Sequence, residues 1–493
     1  MPVLTLNIGV RYTNERPFST KYGQQTNFDP AVADTVTGRP GGLVHRPGTL
    51  SRRDNNNFQP RVGVAWHPWQ KWVFRGGFAL STVDVKYSQQ NAQFQEYEAL
   101  VNYQQPPGDP RPIYQISKIP APPTFNVRPD GTAGFVGTNY GARDAQFYDP
   151  NLRNPYTMTW NAGIQREIKT NYLVELTYQG SAGVGLIGNW EYNTFPIDFA
   201  SDNPALRSAV FAAPQNYRPY PHFGSIRMRS NFGHSTYHSG SIKVEKRYSA
   251  GVNFVSFYTL SKSIDEQSND NDGAGVAPIT NRRLEKALSN FDSRHHLVGS
   301  VVWGLPMGKG RRFLNRGGVW DRIFSGYTIS YVQTVDSGNP LNFDFSASPF
   351  NYYPTFAGAR RPNAVRANPR LRDGWRDMGP DRFTAPGINP VIDIGYFGYP
   401  AAFTVGNLGR NTATGIPLIV GQISAQKNIS ITERIKFQVR WDFQNFMKTW
   451  TFLNPTTTVD LQNPQTFGKV RAEARTAEWG GQPIMHLTLA VTF

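Results

Sequence analysis

The sequence predicts an all-β fold, an antiparallel transmembrane β-barrel of about twelve strands. Three observations predict it. Apolar and polar residues alternate in segments of about ten residues, aromatic residues are plentiful although the apolar content is low, and short connections alternate with long ones. A wall with lipid on one side and a watery lumen on the other produces all three.

The alternation is clearest in "FQVRWDFQNF", residues 437–446. There the apolar residues Phe437, Val439, Trp441 and Phe443 alternate with Gln438, Arg440, Asp442 and Gln444. The final stretch "MHLTLAVTF", residues 485–493, has the same period of two. The pattern predicts twelve strands, at residues 3–13, 58–67, 71–84, 156–169, 172–180, 235–248, 252–263, 294–305, 326–337, 420–431, 435–446 and 483–493.

Composition supports a barrel over a compact soluble domain. Apolar residues make up 39% of the chain, below the roughly 45–50% of soluble domains, yet aromatic residues reach 13%. Only alternate residues of a barrel strand need be apolar, and aromatic girdles mark both membrane interfaces. No apolar run has the 18 or more residues of a spanning helix, so the sequence predicts no helical membrane protein.

The connections fall into two classes. Strands two and three are joined by "PWQ", four and five by "TN", six and seven by "SAG", and ten and eleven by "TER". The connections after strands one, three, five, seven, nine and eleven are long, and only residues 306–325, after strand eight, are intermediate. This order predicts short periplasmic turns at one rim and long extracellular loops at the other.

Charge and cysteine content narrow the function. The net charge of +16 is spread along the chain, and the basic cluster at residues 360–376 lies in a Gly/Pro-rich segment that we interpret as a solvated loop. We therefore expect no nucleic-acid partner. Because cysteine is absent, thiolate metal sites and cysteine nucleophiles are excluded. The start "MPVLTLNIGVRYT" does not have the pattern of a signal peptide.

Motifs for catalysis are weak, so we expect no enzyme and no cofactor. His295 and His296 are adjacent on a strand, so they point to opposite faces and cannot share a metal. Asp270 and Asp272 in "SNDNDGAG" are a weak candidate for a calcium loop, since the later bidentate Glu is missing. An Asn/Asp/Gly turn is the alternative interpretation.

Two sets of residues are the candidates for function. The first set is predicted to face the lumen, where it contacts cargo or pairs within itself or with a plug: Arg61, Arg75, Glu175, Arg440 and Asp442. The second set, on the last strand, resembles the carboxyl-terminal signal that the outer-membrane barrel assembly machinery reads: Met485, Leu487, Leu489, Val491 and Phe493.

Several stretches in order resemble the carboxyl-terminal barrel of Oar-like TonB-dependent outer-membrane receptors: "NNNFQPRVGVAWHPWQKWVFRGGFAL", "NPYTMTWNAGIQREIKTNYLVELTYQGSAG", "STYHSGSIKVEKRYSAGVNFVSFYTLSKSID", "LSNFDSRHHLVGSVVWGLPMGKGRRFL" and "GNLGRNT" through "QVRWDFQNF". The resemblance implies that residues 1–493 are a single barrel segment, about the second half of a larger barrel, without the plug domain and TonB box of the family. It also implies transport or reception of a bulky ligand in the outer membrane of a Gram-negative bacterium. The implied partners are lipid and lipopolysaccharide, the barrel assembly machinery, and the TonB complex through a plug.

Two alternatives remain open from the sequence. A self-contained porin-like channel is possible, since an even count of twelve strands can close on itself. A soluble all-β carbohydrate-binding protein with loops at one end would also show alternating strands. An upstream plug sequence would exclude the first alternative, and heat-modifiable migration from an outer-membrane fraction would exclude the second.

Overall fold

The computed structural model describes most of the strands and parts of every long connection. The described residues are 3–17, 19–20, 25–34, 37–45, 48–83, 125–127, 133–135, 143–194, 203–268, 283, 285–345, 361–366, 368–373, 390–401, 404, 406–432, 434–447, 453–470 and 484–493. They form one large antiparallel sheet with packed loop segments at one end.

Twelve long strands build the sheet in the order of the chain, so the predicted strand count is confirmed. Each of the ten inner strands pairs antiparallel with the strands before and after it, and each of the two outer strands pairs with its one neighbour. The strands are β1 (Val3–Tyr12), β2 (Phe58–His67), β3 (Trp72–Thr82), β4 (Tyr156–Lys169), β5 (Tyr172–Glu191), β6 (Phe223–Ser249), β7 (Val252–Asp265), β8 (His295–Gly304), β9 (Tyr327–Asp336), β10 (Leu418–Ser430), β11 (Lys436–Gln444) and β12 (Ile484–Thr492).

Short and long connections lie at opposite ends of the sheet, as predicted. The short-turn rim carries tight turns in which Lys71 (φ 72°), Asn171 (φ 75°) and Ala250 (φ 50°) adopt the left-handed conformation. The intermediate connection at this rim, between β8 and β9, contains helix α2 (Val319–Phe324). The long-loop rim carries six loops, L1 (13–57), L2 (83–155), L3 (192–222), L4 (266–294), L5 (337–417) and L6 (445–483).

The pairing register gives the sheet two chemically distinct faces. Residues directly opposite one another on antiparallel strands share a face. One row on the apolar face joins Phe437 to Val491, and the neighbouring row on the polar face joins Gln438 to Ala490. Apolar-face side chains are exposed, for example Leu6 at 58%. Because a soluble sandwich would bury such a face under a second sheet, this exposure fits a face that contacts lipid.

Aromatic residues on the apolar face lie near both rims. At the short-turn rim, the rings of Trp66 and Phe74 are 5.5 Å apart, and Trp72 stacks on Phe74 with centroids 6.0 Å apart. Closer to the long-loop rim, Trp160 Nε1 donates to the Tyr178 hydroxyl over 3.3 Å. Aromatic side chains with a polar atom suit the boundary between lipid and water, as the composition predicted.

Two strands are longer than the sequence predicted. The predicted ranges 172–180 and 235–248 were too short, because β5 continues to Glu191 and β6 begins at Phe223. The added segments pair with two register shifts around Leu186. Trp190 and Phe232 are buried against each other there, so this part of the hairpin is packed by protein and loses the strict alternation of a lipid-facing wall.

Smaller elements lie in the loops. Helix α1 (Pro204–Ala212) begins at Asn203, whose side chain accepts from the main-chain N–H of Leu206. The short strands and 3₁₀ turns are Ser19–Thr20, Thr26–Ala33, Pro40–His45, Gly48–Thr49, Phe125–Val127, Ala133–Phe135, Arg143–Tyr148, Pro214–Tyr217, Ala287–Leu288, Pro340–Leu341, Asp344–Phe345, Asn363–Ala364, Ile394–Tyr396, Phe397–Gly398, Ala413–Thr414 and Thr458–Val459. Within the described ranges, no helix has the length and apolar character needed to cross a membrane.

The buried apolar side chains lie mainly beyond the long-loop rim. The first loop core joins L1 and L2 to the start of β6 and contains Phe28, Leu43, Ala145, Phe147, Phe223 and Ile226. The second loop core joins L5 to L6 and contains Leu341, Phe343, Phe345, Val391, Ile392, Phe397, Leu408, Ala413, Ile416, Val459, Phe467 and Val470. The described parts of the loops therefore have cores of their own.

Candidate functional site

All five residues predicted to face the lumen lie on the polar face. Arg61 and Arg75 are on β2 and β3, and the register connects them through small residues to the polar positions of β4 and β5. Glu175 lies on β5, opposite Lys243 of β6. Arg440 and Asp442 lie on β11, separated from the other three by five strands. The sheet thus places the candidates in two groups, and their role in binding stays a prediction.

Arg61 borders a hollow of about 480 Å³ on the polar face. Gly63 faces Gly77 across β2 and β3, and Gly9 faces Arg61, so the floor has no bulky side chains. Asn7 and Asn161 supply amide groups to the same hollow. A guanidinium and amides around a floor of small residues can donate hydrogen bonds to a polar or anionic group.

Charged residues elsewhere on the polar face pair with one another. Lys243 Nζ lies 2.9 Å from Glu245 Oε2, and Lys243 also faces Glu175 in the register. Arg440 Nη2 lies 2.8 Å from Asp442 Oδ1. Only the second contact joins two of the five predicted residues, as in the pairing alternative. All four side chains in these contacts are partly exposed.

A band of hydroxyl groups fills the polar face between the charged groups. The residues are on β4 to β7, and they are Thr157, Thr159, Thr177, Ser181, Ser235, Ser239, Ser241, Thr259, Ser261 and Ser263. Ser241 Oγ and Thr259 Oγ1 are 3.0 Å apart across β6 and β7. Sequence reasoning named the charged residues and missed this band, although its serines and threonines occupy every second position. The band offers neutral donors and acceptors along the wall.

The two adjacent histidines lie on opposite faces, as predicted. His295, on the apolar face, shares a hydrogen bond of 2.7 Å with the Tyr258 hydroxyl. His296, on the polar face, pairs with Asp336 of β9. No group of three or more His, Asp or Glu side chains with metal-binding geometry occurs in the described part of the chain. The calcium candidates Asp270 and Asp272 lie outside the described residues.

A buried charge cluster connects L4 to L5 at the long-loop rim. It consists of Asp265, Glu285, Arg361 and Arg410. Arg361 Nη2 lies 2.7 Å from Glu285 Oε1, and both side chains are less than 10% exposed. Arg410 pairs with Asp265 and donates from Nε to the Glu285 carbonyl over 3.2 Å. The cluster fixes two loops above the polar face, and sequence patterns gave no sign of it.

A second buried carboxyl lies where the hairpin of β5 and β6 projects past the rim. Glu191 accepts from the main-chain N–H groups of Asn193 and Ile226, over 3.0 and 2.9 Å, and from Ser225 Oγ over 2.6 Å. Burial raises the pKa of the Glu191 carboxyl above its ordinary value, and these hydrogen bonds with the nearby Arg218 oppose the rise. Glu191 therefore anchors L3 to the first loop core.

The residues predicted as an assembly signal share one face of β12. Met485, Leu487, Leu489 and Val491 are opposite Phe443, Trp441, Val439 and Phe437 of β11. All four are more than half exposed, and Phe493 is 95% exposed at the short-turn rim. Their contact with the assembly machinery stays a prediction.

Comparison with known proteins identifies the family. Residues 1–478 match the family described as "Outer membrane beta barrel domain". No curated protein matches the chain.

Solved structures that are similar include one transporter and two receptors. The outer membrane transporter YddB from Escherichia coli has a TM-score of 0.44 and 10% identity over 90% of this chain and 41% of its own. A mutant of the ferric enterobactin receptor PfeA from Pseudomonas aeruginosa has a TM-score of 0.41 and 8% identity over 99% of this chain and 51% of its own. The siderophore receptor PiuA from Acinetobacter baumannii has a TM-score of 0.38 and 7% identity over 94% and 38%.

The chain spans about two fifths to one half of the length of these structures. The family match confirms the outer-membrane barrel and excludes the soluble carbohydrate-binding alternative. The location in the outer membrane is also established. The two-faced sheet of twelve strands and the match over residues 1–478 show that the chain belongs to the outer membrane beta-barrel domain family.

Proposed function

We propose that the chain is the carboxyl-terminal barrel part of a TonB-dependent receptor that binds a bulky ligand and moves it across the outer membrane. One observation carries the proposal: a single polar face continues through all twelve strands and opens at the rim where all six long loops lie. A ligand that leaves the long loops toward the periplasm would then contact the polar face. Binding and passage, without catalysis, are the functions that this arrangement supports.

The two outer strands support a barrel larger than twelve strands. Within the described residues, β1 pairs only with β2, and β12 pairs only with β11. A free strand edge in hydrocarbon leaves main-chain N–H and C=O groups unpaired, at a cost of several kcal/mol per group. We propose that further strands complete the wall between β12 and β1. The TonB complex would act through a plug encoded outside residues 1–493.

Cysteine cross-linking distinguishes this proposal from a self-contained porin-like channel. The chain has no native cysteine, so any disulfide within it must join the two engineered cysteines. Asn7→Cys on β1 is combined in turn with Cys at 484, 486, 488 or 490 on β12, the polar-face positions. A channel that closes with twelve strands yields a disulfide with one of them, whereas a larger barrel yields none.

The matched positive control combines Asn7→Cys with Gly63→Cys. These residues face each other in the register, and a Cβ at Gly63 would lie 3.8 Å from the Asn7 Cβ, within disulfide range. This pair should oxidise in the outer-membrane fraction. Efficient cross-linking between β1 and β12 would overturn the larger barrel.

TonB dependence is tested by conductance and by binding. We expect the purified outer-membrane protein that carries this chain to give no steady channel in planar bilayers, and to retain the carboxyl-terminal domain of TonB in a pull-down. A stable open channel without TonB retention would instead support the porin-like alternative.

A further inference from the structure

Three exposed arginines follow one side of the polar face from the long-loop rim toward the short-turn rim. Arg11 is the last but one residue of β1. Arg61 of β2 faces Gly9, two residues below Arg11, and Arg75 of β3 faces Ala65, four residues below Arg61. At about 3.4 Å per residue, these steps are about 7 and about 14 Å along the strands. We call the three side chains the arginine track.

No carboxylate neutralises the arginine track in the part of the chain that the structure describes. None of its three guanidinium groups forms an ion pair or a hydrogen bond there. The strands β1, β2 and β3 contain no Asp or Glu, and the one acid of β4, Glu167, lies at the short-turn rim. By contrast, Lys243 and Arg440 each pair with a carboxylate on the same strand. This side of the wall therefore has an unbalanced positive charge, which attracts anions.

The hollow of about 480 Å³ lies along the arginine track. One row of its floor joins Asn7, Gly63, Gly77 and Asn161 across β1 to β4. A Cβ at Gly77 would lie 3.4 Å from Asn161 Nδ2, so the amide lies over the glycine. One arginine is a row above this row, and another is a row below it. A floor of glycines lets a ligand approach the main chain between the two guanidinium groups.

The spacing of the charges indicates what the arginine track accepts. A guanidinium pairs with carboxylate or phosphate through two parallel hydrogen bonds, and a lining of arginines selects anions in pores. Because Arg61 and Arg75 are separated by about 14 Å of strand, a ligand with anionic groups along its length matches the track better than one small anion. A neutral ligand would form only the amide and hydroxyl contacts.

We propose that the arginine track binds a multiply anionic ligand, one that carries several carboxylate or phosphate groups, and guides it from the loops to the hollow. The inference rests on the proposed function, since it names the class of ligand that the receptor would move. The hydroxyl band on β4 to β7 would contact neutral parts of the same ligand. Acidic side chains of a plug have the same chemistry, and the experiment separates the two sources.

End-capped tetraglutamate and tetraglutamine peptides test the proposal, because they have the same length and differ in charge. Their binding is measured by isothermal titration on the purified outer-membrane protein that carries this chain. We expect tetraglutamate to bind more tightly, and Arg61→Gln and Arg75→Gln each to weaken it about tenfold. Arg61→Lys keeps the charge and should weaken it less. The matched control is Lys436→Gln, which removes a charge from an exposed polar-face residue of β11 at the short-turn rim.

Each outcome bears on the proposal. Tighter binding of tetraglutamate, weakened by Arg61→Gln and Arg75→Gln and kept in Lys436→Gln, supports it. Equal binding of the two peptides, or equal effects of the three substitutions, overturns it. Absence of tetraglutamate binding also overturns it, and a lower unfolding temperature in Arg61→Gln and Arg75→Gln would then assign the arginines to a plug.

Two further measurements keep these outcomes separate from other causes. Retention of TonB in the pull-down reports on the proposed function alone. Selective peptide binding without TonB retention would overturn the receptor and keep the anionic site, and TonB retention with equal peptide binding would do the reverse. Heat-modifiable migration of each variant confirms that loss of binding is not loss of folding.

Discussion

The buried charge cluster predicts that ion pairs hold L4 and L5 together. Glu285→Gln keeps the size of the side chain and removes its charge, which leaves the guanidinium of Arg361 buried beside a neutral amide. Removal of one partner from a buried ion pair costs about 3–5 kcal/mol. Since about 1.4 kcal/mol is a factor of ten, the opening equilibrium that separates L4 from L5 should rise by roughly two to three and a half orders of magnitude.

Hydrogen exchange on the intact outer-membrane protein measures this opening. The reporters are the main-chain N–H groups of Ser289, which donates to Ser263, and Asp292, which donates to Ser289. Both should exchange much faster in Glu285→Gln, while N–H groups at the centre of β9 should keep their protection. Faster exchange in L4 alone would show local opening.

The matched control is the exposed pair of Arg370 and Asp373 in L5, whose side chains are 72% and 93% exposed. Arg370→Ala removes an ion pair of the same type, yet exposed pairs contribute only about 0–1 kcal/mol. We expect no change at Ser289 or Asp292. Equal protection of these two groups in Glu285→Gln and in the unaltered protein would refute the reasoning, because the cluster would then not hold the loops.

Three further predictions concern the membrane wall, assembly and pH. Leu487→Arg places a charge on the apolar face and should lower the free energy of unfolding by about 2–4 kcal/mol in urea titrations from lipid vesicles, whereas Ala490→Arg on the polar face, opposite the neutral Gln438, should change it little. Phe493→Ser should reduce heat-modifiable protein in the outer-membrane fraction, and an unchanged amount would contradict the assembly role. Burial raises the pKa of Glu191 from its ordinary 4.5, so its contribution to stability is complete below that pH and is lost as pH rises through the raised value. Limited proteolysis of the β5–β6 hairpin between pH 4.5 and 8 should therefore speed up with pH, and in Glu191→Gln it should not.

The sheet was predictable because each of its strands contacts the same two environments. Lipid and lumen impose a period of two that is visible in ten residues of sequence, so the strand count, the rims and the face of Arg61 or Asp442 followed directly. The predicted bounds of β5 and β6 were wrong where these strands extend beyond the lipid-facing wall. Beyond Val184 the hairpin of β5 and β6 is packed by its own residues, and its pattern no longer reports a membrane.

The loop site was not predictable for the opposite reason. Phe28 packs against Phe147, and Arg410 pairs with Asp265, across more than one hundred residues of sequence. Such contacts leave no periodic pattern in the sequence, because the positions of the loop ends in the sheet determine which loop residues meet. The register, once known, makes them interpretable: L4 and L5 both leave the sheet near β7 to β9, so opposite charges there can meet.

The distribution of burial also bears on how the proposed receptor would bind its ligand. The large apolar side chains of the sheet are exposed on one face, whereas fully buried ones such as Phe28, Phe223 and Phe467 lie in or beside the loops. Loops with cores of their own lose less conformational entropy when a ligand binds, because their main chain is already ordered in the folded protein. The loop cores and the charge cluster should therefore raise affinity without contacting the ligand. Substitutions there should weaken binding through the loops' order, and substitutions in the hollow beside Arg61 should weaken it through contact.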